Sequence, residues 1–155
     1  MNGLPKDASG AVVDIELSDL DLRYEGYRLQ QPRLEGQLLS SIAREGIREP
    51  LQGVNSGATA VLLNGFKRLR CARKLSIHVV PFASLGTDEV AGILKLLRGS
   101  SHEALSLLEQ ARFVDELKTG RGLSVAEIAE QLSRSKAWVS LRLGFIDIPV
   151  SYTHL

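Results

Sequence analysis

The spacing of apolar positions changes along this chain, and each change marks an element. Residues 11–20, AVVDIELSDL, open with β-branched side chains at short spacing and predict a strand followed by a turn. The Gly/Pro/Ser-containing leader before them is expected to be loose. In RLEGQLLSSIAREG, Leu34, Leu38, Ser41/Ile42 and Arg44/Glu45 recur at helical spacing, and Gly46 stands where a left-handed C-terminal cap is wanted. Pro50 then introduces PLQGV, the turn-rich NSGA separates it from TAVLL, and the two predict a hairpin whose second strand stops at Asn64-Gly65. A helix follows in FKRLRCARKL. SIHVVPFASLG reads as a further strand, and TDEVAGILKLLR as a helix with Thr87 as its N-cap and two acids in its first turn.

From residue 98 the pattern is interrupted by RGSSHE, a run of small and polar residues that predicts a linker over 98–103. Beyond it the periodicity is helical throughout. LSLLEQARFVDELKTG predicts a helix stopped by Gly120, and Ser124-Val125-Ala126-Glu127 has the spacing of a capping box at the start of another. The expected fold class is therefore α+β: a small mixed α/β domain over residues 1–100, then an all-helical domain over 101–149.

Composition narrows the function. At 155 residues and 44% hydrophobic content the chain suits folded domains, not disorder. A net charge of +1 means that any anionic partner must be met by local clusters of cations. Cys71 is the single cysteine, so an intrachain disulfide and a multi-cysteine zinc site are excluded, and His78, His102 and His154 have no metal-ligand spacing. A reducing, cytoplasmic setting is expected. No basic-then-apolar leader or membrane-length apolar run is present.

Two basic clusters stand out. Lys67, Arg68, Arg70, Arg73 and Lys74 place five cations in eight residues with no acid among them, directly after a strand ending in Gly65. A strand-Gly-helix turn lets a ligand approach the backbone while the helix amides and dipole point at it, so this segment has the chemistry of a polyphosphate cradle. Strand-Gly-helix turns are widespread, however, and on these residues alone a merely solvated basic helix face is the favoured reading. The second cluster lies in LSVAEIAEQLSRSKAWVSLRLGFI, residues 123–146, which has the spacing of a helix-turn-helix: small Ala129 at the crossing, Ser133 at the turn, apolar Val139 on the second helix. With Val139, Leu143 and Ile146 inward, Ser135, Lys136, Ala137 and Ser140 project outward where base edges would be met. Arg134, Lys136 and Arg142 are placed to neutralise phosphates, and Trp138 reads as a packing anchor at the edge of the motif.

QQPRLEGQLLSSIAREGIREPL, LLNGFKRLRCARKL, VVPFASL and IAEQLSRSKAWVSLRLGFIDIP occur in an order that resembles the N-terminal and central domains of ParB-type chromosome and plasmid partition proteins, over roughly residues 11–149. The resemblance implies a CTP site with Mg²⁺ formed by Gln31-Pro32-Arg33 and by Gly65-Phe66-Lys67-Arg68-Leu69-Arg70, so Gln31, Arg33, Gly65, Lys67, Arg68 and Arg70 are the implied nucleotide-binding residues. It further implies a homodimeric, nucleotide-gated clamp on double-stranded DNA in the cytoplasm at the nucleoid, served by a partition ATPase and independent of membranes. Phe66 stands where that family has glutamate and Lys67 where it has arginine. The family's E-N-x-x-R segment falls on Arg98-Gly99-Ser100-Ser101-His102, so the carboxylate and amide associated with metal and CTP hydrolysis are missing; no catalytic residue is assigned and the metal ligands are unknown.

Two other functions fit parts of the pattern. One is a transcription regulator or mobile-element accessory protein with this fold and no nucleotide switch. The other is a nuclease, phosphotransferase or sulfiredoxin-like enzyme, with Cys71 inside the basic helix as its only chemical handle. The final PVSYTHL has neither helical nor strand logic, and residues 150–155 read as a tail outside the native protein; the resemblance implies that the native chain continues into a C-terminal dimerisation domain.

Overall fold

The computed structural model describes residues 11–99 and 105–146. The leader, most of the 98–103 linker and the 150–155 tail lie outside these residues. The chain divides into two compact units, residues 1–92 and 93–155.

The first unit is built on a five-stranded mixed sheet. Its strands are β1 (Val12–Glu16), β2 (Leu20–Asp21), β3 (Leu51–Ser56), β4 (Thr59–Asn64) and β5 (Val79–Ser84), in the order β1-β5-β3-β4-β2. β3 and β4 form the expected antiparallel hairpin, closed at Gly57, whose φ of 65° suits the tight turn. β1 is antiparallel to β5 with Val12 opposite Ala83, while β5 joins β3 in parallel. β2 was not expected from the sequence: two residues long, it pairs in parallel with β4 through Leu20 opposite Ala60, a pairing too short to leave a periodic signal. Leu51, Val54, Val61, Leu62, Leu63, Val80 and Phe82 are buried.

Helix α1 (Pro32–Glu45) starts with proline at its first position and ends at Gly46, where φ is 76° and the amide donates to Ile42 O. Its buried residues are Glu35 and Ile42; Leu34, on the apolar repeat, is 49% exposed. Helix α2 (Phe66–Lys74) buries Phe66, Leu69, Cys71 and Ala72. Helix α3 (Glu89–Arg98) begins one residue later than the sequence suggested, and its cap is Asp88 instead of Thr87: Asp88 Oδ2 accepts the Ala91 amide at 2.8 Å.

In the second unit, α4 (Leu107–Asp115) opens with a capping box between Ser106 and Glu109 that sequence reading missed, although Ser-x-x-Glu is its signature. The helical run ends at Gly120, where the sequence places its stop, without a left-handed residue there. It widens over Glu116–Gly120 into a turn in which Arg121 N–H reaches back five residues to Glu116 O, and the positive φ falls at Gly122. Helices α5 (Val125–Leu132) and α6 (Lys136–Ile146) follow. Ala111, Phe113, Val114, Leu117, Ile128, Ala129, Leu132 and Val139 are the buried apolar residues of these elements.

Candidate functional site

The two basic clusters have opposite surroundings. At the first, β4 ends in buried Asn64, whose Oδ1 accepts from Arg28 Nη1 at 2.7 Å and whose amide donates to Gln52 at 3.0 Å. Gly65 then takes φ 106°, ψ 18°, and a Cβ there would lie 2.8 Å from Leu51 Cγ, so both conformation and space require glycine. The chain turns straight into α2, and Leu69 N–H bonds to Gly65 O.

Of the cations that α2 carries, Arg68 and Arg70 are turned inward, while Arg73 and Lys74 are exposed. Arg68 is only 6% exposed, and its Nη1 donates to the backbone oxygens of Glu49 at 2.6 Å and Pro50 at 3.0 Å. Arg70 Nε donates to Glu35 Oε1 at 2.6 Å, with side-chain exposures of 15% and 10%, and its Nη1 lies 3.4 Å from Glu25 Oε2. Arg70 Nη2 is enclosed and has no acceptor among the described residues. Glu35 Oε2 also accepts the Gln31 amide at 3.2 Å.

The hydrogen bond from Arg70, then that from the Gln31 amide, hold the Glu35 carboxyl below the usual glutamate range against the opposing effect of burial. Burial works against the Arg70 charge, yet its bonds to Glu35 and Glu25 outweigh that and raise its pKa. Lys67 is half-buried, whereas Gln31 and Arg33 are exposed. The acids of this cluster, Glu25 and Glu35, were absent from the sequence reading because they lie 45 and 35 residues from Arg70. Cys71 is buried, its thiol pushed up by burial and then by Glu35, so it is no activated nucleophile.

The second cluster is built on α5 and α6. The Ser124–Glu127 box closes as its spacing predicts, with Glu127 N–H on Ser124 Oγ at 3.0 Å and Ser124 N–H on Glu127 Oε1 at 2.9 Å. α5 ends in a Schellman turn: Ser133 adopts φ 54°, ψ 45°, its amide donates to Glu130 O, and Arg134 N–H donates to Ala129 O. Ser135 Oγ accepts the Trp138 amide at 3.0 Å and thereby caps α6. Val139 is fully buried and Leu143 and Ile146 half-buried, while Arg134, Ser135, Lys136, Ala137 and Ser140 are exposed. Leu141, 64% exposed, is an apolar addition to this face that sequence reading passed over. Arg142 is half-buried: its Nε donates to Gln110 Oε1 at 2.9 Å and its Nη1 to Trp138 O at 3.2 Å. Among the described residues no carboxylate pairs with Arg134, Lys136 or Arg142.

No protein-family model matches the chain. It is 30% identical over 150 residues to the probable chromosome-partitioning protein ParB of Coxiella burnetii, covering 88% of the chain and 50% of that protein. It is 26% identical over 147 residues to stage 0 sporulation protein J of Bacillus subtilis, covering 90% of the chain and 51% of that protein. The chain thus spans about half the length of the curated relatives it matches. Among solved structures, the Pnob8-like ParB-N domain superposes with a TM-score of 0.60 at 13% identity, covering 91% of the chain and 71% of that domain. The C-terminally truncated partition protein ParB from Caulobacter crescentus, in complex with the centromeric parS site, superposes with a TM-score of 0.52 at 17% identity, covering 92% and 75%. These likenesses show the fold.

Proposed function

We propose that this chain is a ParB-type partition protein, as its relatives and its fold support, and that it binds double-stranded DNA at specific sequences through α5 and α6. The observation that carries the reading is the exposed start of α6, where Ser135, Lys136, Ala137 and Ser140 face solvent beside cations that no carboxylate pairs with among the described residues. The short side chains of Ser135, Ala137 and Ser140 let a helix lie deep in the major groove, with Ser140 able to donate or accept at a base edge. Arg134 and Lys136 would meet phosphates on either side and fix the register. The complex of the Caulobacter relative with parS supports DNA as the partner class. A homodimer on a two-fold site, a partition ATPase as partner and action at the nucleoid complete the proposal, with residues 1–100 as its nucleotide-binding-type domain and 101–149 as its DNA-binding domain.

The first cluster fits a triphosphate in part, and we propose it as the site of CTP with Mg²⁺. The left-handed turn at Gly65, half-buried Lys67, the enclosed Nη2 of Arg70 and the exposed Gln31 and Arg33 are the groups that would hold the phosphates. The bound nucleotide would supply charge and a gate on the clamp, and this chain's residues would orient it. Arg70 would exchange Glu35 for phosphate oxygens. Arg68, committed to two backbone carbonyls, favours the second reading: a DNA-binding regulator or mobile-element accessory protein with this fold and no nucleotide switch.

Calorimetric titration with CTP, ATP and GTP, with and without Mg²⁺, on the wild type and on Lys67→Ala decides between them. CTP-selective binding weakened in the variant supports the gated clamp. A folded sample that binds salt-sensitively to duplex DNA and to no nucleotide supports the second reading. A folded sample without affinity for any duplex refutes both.

A further inference from the structure

Trp138 is the only tryptophan in the chain, and two guanidinium groups flank it. Arg142 Cζ lies 3.7 Å from the ring centroid and Arg134 Cζ lies 5.3 Å from it. The two arginines are held very differently. Arg142 is tied at two points, to Gln110 of α4 and to the backbone oxygen of Trp138. Arg134 projects from the Schellman turn with an exposed side chain that makes no hydrogen bond or ion pair among the described residues.

Burial, and after it the charge of Arg134, push the Arg142 pKa down, so the two cations gathered at the indole repel each other. Such a pair is tolerated because the faces of an indole attract cations, and an anion brought up to it would relieve the repulsion. The stack also has a mechanical consequence. A flexible arginine loses rotamer freedom when it grips a phosphate, and an arginine already laid against a fixed ring has less freedom to lose.

We propose that Trp138 and Arg142, anchored to α4 through Gln110, are positioning residues that present Arg134 to a DNA phosphate, and that Arg142 makes no phosphate contact of its own. The inference rests on the DNA-binding reading above. It assigns Trp138 a role distinct from base stacking, and it divides the three cations of this face into one independent contact, Lys136, one guided contact, Arg134, and one brace, Arg142.

The test is a double-mutant cycle on duplex DNA of mixed sequence, read by the anisotropy of a labelled duplex across a salt series, with thermal melts to show that each variant is folded. Arg134→Ala is expected to weaken binding several-fold and to lower the salt slope by about one. In a Trp138→Leu background the same change should cost less than about twofold, while Trp138→Phe, which keeps a ring, restores the full effect. Lys136→Ala should cost the same in both backgrounds. Arg142→Lys keeps the charge but not the stacked plane, so it should match Trp138→Leu.

Equal losses from Arg134→Ala in both backgrounds, or wild-type binding by Arg142→Lys, overturn the proposal while leaving DNA binding intact. A wild-type protein that binds no duplex overturns it together with the DNA-binding reading.

Discussion

The cations of α2 and those around α6 look alike in the sequence and differ in the folded chain. Those of α2 include Arg68, engaged by two backbone carbonyls, and Arg70, engaged by two carboxylates, both largely out of water. Arg134 and Lys136 stand in solvent and form no ion pair among the described residues. A buried cation needs acceptors from its own chain, or desolvation would disfavour its charge, and those acceptors then compete with any ligand. An exposed cation needs none, and its counterions are free to be released to a phosphate backbone. Positive charge in a sequence is therefore not the same as positive charge available for binding.

The sharpest way to break this contrast is Arg68→Ala. It removes a buried donor from two carbonyl oxygens and opens a cavity, so it should destabilise the first unit by about 2–4 kcal/mol in denaturant titration. Wild-type stability in that variant would mean that Arg68 is not structural. A smaller loss, about 1–2 kcal/mol after allowing for partial exposure, is expected from Glu35→Gln.

The same pair makes stability depend on pH. Because the Glu35 carboxyl is depressed in the folded state, its contribution is fully present above the ordinary glutamate pKa of about 4.3 and is lost as pH falls through the folded value. Glu35→Gln should flatten that part of the acid-denaturation curve, and an unchanged curve would remove Glu35 from the account. Under the CTP reading the variant also frees Arg70, so its affinity for triphosphate should rise where wild-type affinity is measurable.

On the other side of the contrast, Lys136→Ala should leave stability within about 0.5 kcal/mol of wild type while weakening DNA binding about threefold to tenfold, more at low salt than at high. Destabilisation instead of weaker binding would place Lys136 in the structural class. The smallest expected effect is at the turn. Ser133 holds a left-handed conformation, so Ser133→Gly should raise stability by about 0.5 kcal/mol, the relief of backbone strain being partly offset by the greater freedom of glycine when unfolded. Lower stability would mean that the Ser133 side chain contributes more than its backbone costs.

Sequence reading succeeded where the deciding interactions are local. The β3–β4 hairpin, the turn at Gly65, the cap at Gly46, the Ser124–Glu127 box and the Ser133 turn are each set by residues within a few positions of one another. Its errors were of two kinds. One was a competition between adjacent residues: Asp88 over Thr87 as the cap of α3. Others required a distant partner. β2 exists because β4 offers it an edge, and Leu34 is exposed because the buried face of α1 is centred on Glu35 and Ile42.

The same distinction separates what this sequence determined by itself from what only the tertiary structure decided. Period, caps and glycine positions were enough for the order of the helices and the longer strands, the mixed α/β part followed by helices, and the outward face at the start of α6, because backbone hydrogen bonding and side-chain periodicity act over a few residues. Which cations are spent inside the protein was decided by the fold. Glu35 reaches Arg70 across 35 residues of chain and Gln110 reaches Arg142 across 32, and electrostatic partners chosen through space at such separations leave no spacing pattern to read.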